Sequence, residues 1–259
     1  MLNPHEISFQ LFSSRRFPPI VPQLEYLHGL GFTDVQSYFS LAADSRPDFD
    51  ADELKAELDR LGMTSKSGHF DLAVFEQDFN QVRRTARKFG MTLVIAPWLG
   101  VAERPVDLSG WKTVAARLKA VSHRCSDEGL RFSWHNHDFE FQPLPDGTYP
   151  IDVLLGDDVS WEPDIAWVVV GKADPVAWLR KYRGRITAIH VKDVARPGEF
   201  PGEAGMADLG KGIVPWDQIW PEVVRSGAEL AVLEHDEPTD YRRFARDSIA
   251  EFKRIAAHA

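Results

Sequence analysis

Side chains capable of acid–base or metal chemistry crowd the second half of the chain, each group following a short apolar run. LRFSWH (130–135) leads into His135-Asn136-His137-Asp138-Phe139-Glu140. The run 159–165 carries Glu162 and Asp164, and Trp167 follows. The run 186–191 ends on His190 and continues into Lys192 and Asp193, while LAVLEHDEP (230–238) supplies Glu234, His235, Asp236 and Glu237. A carboxylate directly behind apolar residues, as at Glu234, is costly to bury without a partner. Imidazoles and carboxylates drawn from separate strand ends make a mixed nitrogen and oxygen donor set. That set suits Mn²⁺, Mg²⁺, Co²⁺ or Zn²⁺ better than copper(I) or an iron–sulfur cluster. Glu140, Asp164, His190 and Glu234 are the expected ligands, each from its own strand–helix unit, with no local motif such as HExxH beside them.

Plainer readings compete at each position. His135 and His137 alternate along a strand, so they share a face; one can bind the ion while the other orients it. Asp164 could cap the helix that follows it. Lys192 and Asp193 could form a surface ion pair worth little. Trp98 and Trp167 suit either the core or a sugar-stacking wall, and Gly210 and Gly212 suit a turn.

The elements that must position these groups alternate regularly. Strands are expected at 7–12, 33–36, 64–69, 92–96, 130–135, 159–165, 186–191 and 230–235. Helices are expected from about Pro18 to Gly31, then at 50–61, 72–89, 108–128, 174–182, 216–226 and 241–257. Asp50 reads as an N-cap, and Gly62 and Gly90 as stops. Eight strand–helix units in roughly 250 residues fit a (β/α)8 TIM barrel, a single α/β domain over 1–259. A doubly wound open sheet is the weaker fit, because no glycine-rich dinucleotide loop follows the first strand. In a barrel the site lies where strands end, which adds Gln10, His69 and Trp98 to the polar ring. Two insertions stand out, 138–149 as a candidate hairpin and the Gly/Pro-rich 196–212.

Composition narrows the partners. The chain has 259 residues, 44% apolar and 27% charged, which are ordinary globular values. A net charge of -9 disfavours nucleic acid and anionic membrane surfaces. The basic cluster Arg83, Arg84, Arg87 and Lys88 falls on a helix expected in the outer ring. The single cysteine, Cys125, allows no disulfide within the chain. No stretch reads as a signal peptide or membrane span, so the expected compartment is the cytoplasm.

Four segments carry a resemblance: WHNHDFEF (134–141), DIAWVVVGKADPVAWLRKYRGRITAIHVKD (164–193), LGKGIVPW (209–216) and VLEHDEP (232–238). With them the chain resembles the xylose-isomerase-like TIM-barrel family, in its sugar phosphate isomerase/epimerase branch. The resemblance implies one divalent metal, Mn²⁺ first and Mg²⁺, Co²⁺ or Zn²⁺ as alternatives. Asp164, His190 and Glu234 match the last three ligand positions. Where many relatives carry a glutamate at the end of strand five, this chain has His135. The first ligand is therefore assigned to Glu140, with His135 or His137 as the alternative. Lys211 stands where a glutamate is frequent, and so does Gln36.

The expected chemistry is proton abstraction alpha to a carbonyl through a metal-stabilised enediolate, giving a sugar isomerase or epimerase acting on a ketose, keto-sugar or sugar derivative. Glu140, Glu234, His135, His137 and Lys192 are the expected catalytic groups, with Lys192 polarising a carbonyl oxygen. Gln10, His69, Trp98, Trp167 and Arg196 are the expected substrate contacts. The alternatives are a metal-dependent lyase or dehydratase on a keto-inositol or 3-keto-glycoside, and a non-catalytic sugar-binding subunit. The partner is a small carbohydrate, with a homo-oligomer left open.

Overall fold

The computed structural model describes residues 7–40, 47 and 49–257. Eight apolar runs form parallel strands: β1 Ile7–Gln10, β2 Asp34–Phe39, β3 Ser67–Phe70, β4 Leu93–Ala96, β5 Arg131–His135, β6 Ser160–Glu162, β7 Ala188–Val191 and β8 Leu230–Leu233. Each pairs with its sequence neighbour from β1 to β6, and β1 pairs with β8, which pairs with β7. Two isolated parallel bridges, Trp161 with Ile186 and Asp164 with His190, nearly close the ring between β6 and β7. The result is the expected TIM barrel.

Alternation along the strands sorts side chains between two cores. Leu93, Ile95, Ala188, Leu230 and Val232 form a small apolar plug on the inward faces. Their alternating neighbours Val94, Ile189, Val191, Ala231 and Leu233 belong to the large cluster between strands and helices. His190 follows Ala188, and Glu234 follows Val232, by two residues. The site thus sits on top of the plug, at the C-terminal ends of the strands.

The helices follow their local signals. Asp50 caps Ala51–Leu61 through Asp52 N and Glu53 N, and Gly62 ends it at φ 68°. The outer helix Phe79–Phe89 carries Arg83, Arg84, Arg87 and Lys88, which pair with Glu128, Asp78 and Asp52 on the surface. No helix among the described residues is long and apolar enough to cross a membrane.

Four expectations are corrected. The helix 72–89 is two helices, Leu72–Gln77 and Phe79–Phe89, because Asp78 leaves helical geometry and caps the second through Gln81 N. Strand six stops at Glu162, since Pro163 has no N–H to donate and Asp164 opens the helix Ile165–Val170. The segment 138–149 contains no strand; Phe139–Phe141 is a 3-10 turn, and Pro150–Leu155 is an unexpected helix. Lys192 and Asp193 are both buried and do not pair with each other.

Asp193 instead organises the loop after β7. Its Oδ1 accepts from Val194 N at 2.8 Å and Val214 N at 3.0 Å, and its Oδ2 from Gly210 N at 2.9 Å and Gly212 N at 3.1 Å. A Cβ on Gly212 would lie 2.1 Å from Asp193 Oδ1, so only glycine fits there. Lys211 turns away to Asp208 and Asp247.

Candidate metal centre and active site

Ligand atoms from His135, Asp164, His190 and Glu234 lie within 4.8 Å of one another. Each side chain comes from the end of a different strand, β5 to β8, and all four are buried. Asp164 Oδ1 caps its helix through Trp167 N at 3.0 Å. Its Oδ2 lies 3.1 Å from Lys192 Nζ and 3.8 Å from His135 Nε2. The capping and functional readings of Asp164 therefore divide between its two oxygens. His190 Nδ1 meets Glu234 Oε2 at 2.8 Å, and Lys192 Nζ lies 3.1 Å from the same oxygen and 2.5 Å from Asp236 Oδ1.

Beneath this group a second set shares two members: His69, His135, Glu162 and His190. Glu162 is fully buried at its centre. Glu162 Oε2 faces His69 Nε2 at 2.6 Å and lies 3.3 Å from both His135 Nδ1 and His190 Nε2. Gln36 Nε2 donates to Glu162 Oε1 at 2.7 Å and to Ser67 Oγ at 2.9 Å. Gln36 Oε1 accepts from Gln10 Nε2 at 2.7 Å and faces His190 Nε2 at 2.7 Å.

Burial and neighbouring charge set the protonation pattern. Burial opposes a charge on His190, but Glu162 and Glu234 outweigh it and raise its pKa to about 10. Burial likewise works against Lys192, yet Asp164, Asp236 and Glu234 keep it an ammonium. Burial and the His190 charge push His135 down to about 3, so it is neutral. Glu162 and Glu234 stay well below the usual carboxylate range; burial is outweighed by His190 and His69 at the first, and by Lys192 and His190 at the second. Burial raises Asp164 to about 6 against the pull of Lys192.

Four carboxylates, Glu162, Asp164, Glu234 and Asp236, thus face two cationic side chains, Lys192 and His190. That excess of negative charge, with two imidazoles and two carboxylates converging on one point, fits a dication held by the upper group.

Glu140 is elsewhere. Its oxygens accept from Trp134 Nε1 at 3.0 Å and His137 N at 2.9 Å, and burial raises its pKa to about 8. It joins neither ligand group and fixes the turn after β5 instead. His135 stands in the group where Glu140 was expected.

Above the ligands opens a cavity of about 450 Å³. His69, Trp98, His135, His137, Trp167 and Glu234 line it. Trp98 and Trp167 flank His137, with ring centroids 4.5 and 5.2 Å away. Gln10 does not line the cavity; it is buried in the relay below. Arg196 does not line it either, because its exposed guanidinium bonds Lys211 O and pairs with Glu199. Lys192 and Glu140 also lie outside the cavity wall.

Sequence reasoning named Glu162 and Asp236 among the strand-end groups without giving them a role, and left out Arg15. Glu162 precedes Asp164 by two residues, and Asp236 follows Glu234 by two, so strand alternation was the available signal. Arg15 had none: it reaches Asp236 O and Glu237 from the turn after β1.

A buried carboxylate–imidazole cluster thus sits at the C-terminal mouth of an eight-stranded TIM barrel. Solved structures agree. A sugar phosphate isomerase/epimerase from Parabacteroides distasonis superposes with a TM-score of 0.78 at 19% identity, over 96% of this chain and 93% of that one. A probable 3-DHS dehydratase, AsbF, from Bacillus anthracis gives 0.73 at 15% identity, over 95% and 97%. An L-ribulose 3-epimerase gives 0.71 at 17% identity, over 99% and 96%. No family model and no curated protein matches the sequence.

Proposed function

We infer that the chain is a divalent-metal-dependent sugar isomerase or epimerase that removes a proton alpha to a carbonyl. The observation that carries this is the His135, Asp164, His190 and Glu234 group beneath an aromatic-walled cavity. The likeness to an L-ribulose 3-epimerase supports the same class. A bound dication supplies Lewis acidity toward a carbonyl and its neighbouring hydroxyl.

The protein side chains do the rest. Glu234 and His137 both line the cavity from strands three apart in the ring, so they approach a bound sugar from different sides. Burial holds His137 well below its usual pKa, leaving a neutral imidazole whose Nδ1 has no partner. Glu234 takes the proton on one side and His137 handles it on the other, each contributing about 10²–10⁴-fold. Lys192, always protonated, holds Asp164, Glu234 and Asp236 in place. Trp98 and Trp167 offer flat apolar faces to the sugar ring.

The test is the metal content of chelator-stripped, reconstituted protein, then solvent deuterium exchange on a ketose panel. Glu234→Gln should lose both the ion and exchange, whereas Glu140→Gln should keep the ion. Exchange with an isomer of equal mass supports the reading; product that has lost water favours a dehydratase. No ion bound by the wild type would overturn the mechanism.

A further inference from the structure

The protonation of the ring nitrogens is dictated by groups beneath the ligands, and it decides which cation fits. The chain of donors is anchored at both ends. Phe12 N–H donates to Gln10 Oε1 at 3.2 Å, which turns Gln10 Nε2 toward Gln36 Oε1. At the other end Gln36 Nε2 faces Glu162 Oε1, and an ionised carboxylate only accepts. Gln36 Oε1 therefore has no proton to give, and His190 Nε2, 2.7 Å away, must be the donor. Nδ1, which in the ion-free protein donates to Glu234, is then the only nitrogen of His190 that can give up its proton to an incoming ion and offer a lone pair.

His135 is oriented by the same carboxylate. Its Nδ1 lies 3.3 Å from Glu162 Oε2, not aligned as a hydrogen bond but close enough for the carboxylate to repel a lone pair, which places the proton on Nδ1 and the lone pair on Nε2, toward Asp164. The lower set, with Glu162 bonded to His69 and facing N–H groups of His135 and His190, is thereby an orienting base rather than a second cation position. The upper set is left with two nitrogens, His135 Nε2 and His190 Nδ1, and two oxygens, Asp164 Oδ2 and Glu234 Oε2.

We propose that Glu162, with the Gln10–Gln36 relay, is a positioning device that makes this a two-nitrogen, two-oxygen site selecting Zn²⁺, Co²⁺ or Fe²⁺ over the Mn²⁺ and Mg²⁺ that an oxygen-rich set would favour. Imidazole suits the borderline ions, and carboxylate the hard ones. The proposal rests on the ligand set assigned under the functional reading and goes beyond it to the identity of the ion.

The experiment uses the full chain, stripped of metal and titrated with Zn²⁺ or Mn²⁺ alone against competing chelators. Wild type, His135→Glu, Glu162→Gln and Asp164→Asn are compared, with circular dichroism reporting folding. Pulsed electron paramagnetic resonance of the Mn²⁺-loaded wild type counts directly bound nitrogens and needs no variant. The expected results are two bound nitrogens in the wild type and one in His135→Glu. The Zn²⁺-to-Mn²⁺ affinity ratio should fall at least ~10-fold in His135→Glu. Glu162→Gln should weaken Zn²⁺ binding by about 10–100-fold, as loss of an orienting carboxylate does, and should disturb the nitrogen signals. Fewer than two nitrogens in the wild type, or an unchanged ratio in folded His135→Glu, would overturn the selectivity while leaving the ligand set standing. Ion binding indifferent to Asp164→Asn would overturn the ligand set itself, and this proposal with it.

Discussion

Removing the ammonium of Lys192 should cost stability in a way that a dication repairs. Lys192 is 1% exposed, and its Nζ lies 3.1, 3.1 and 2.5 Å from Asp164, Glu234 and Asp236. Lys192→Met keeps the apolar stem and deletes only the charge. Three carboxylates are then left around one cationic group, His190, which pairs with only one of them. Breaking a buried ion pair from one side costs about 3–5 kcal/mol. For a chain of this size each kcal/mol moves the melting temperature by about 2–4 °C, so the metal-free variant should melt roughly 6–20 °C below wild type. A dication answers the same carboxylates. At a hundredfold excess over Kd it returns about 2.7 kcal/mol, and it should bind the variant more tightly because no ammonium competes for the oxygens. Differential scanning calorimetry with and without Zn²⁺ or Mn²⁺ reads both effects. Equal melting temperatures without metal, or equal metal-induced rises in the two proteins, would refute the reasoning.

Other outcomes follow from single buried groups. Burial raises the Asp34 carboxyl to about 6, against hydrogen bonds from Thr64 Oγ1 and Lys66 N. Between about pH 4 and 6 the folded state keeps a proton that the unfolded chain has lost, so stability falls across that window, by up to ~3 kcal/mol. Asp34→Asn should therefore be the more stable protein at pH 8 and lose that advantage at pH 4, read by urea unfolding; no difference at either pH would count against it. Cys125 is fully buried with its thiol pushed up to about 12, so a thiol reagent should label it only as fast as the protein unfolds. Gly212→Ala should destabilise by several kcal/mol, about 2–4, because its Cβ enters the space of Asp193 Oδ1, and hydrogen exchange at Gly210 and Val214 should accelerate. Glu140→Gln should leave ion stoichiometry unchanged in an elemental assay, since its carboxylate serves Trp134 and the backbone of His137.

The barrel was legible in the sequence because its signals are local. Apolar runs of strand length, Asp50 as a cap and glycines at helix ends such as Gly62 and Gly90 each act within a few residues. Their places at the ends of separate apolar runs also marked Asp164, His190 and Glu234 as expected ligands, and the structure brings the three together. The boundaries that failed did so where one residue served two elements, as Asp164 ends the sheet contact with His190 and opens a helix.

What the sequence could not decide was the partner of each polar group. Glu140 and His135 are five residues apart on the same strand–loop segment, and either spacing reaches a ligand position. Only the packing of Glu140 under Trp134 and the His137 amide turned it away and left His135 facing Asp164. Gln10, Gln36 and Glu162 are separated by 26 and 126 residues, yet they form one hydrogen-bonded chain directly beneath the ligand group. Composition and local pattern fix which residues face inward. Which nitrogen, which oxygen and which charge meet there depends on distances between strands that only the closed ring defines.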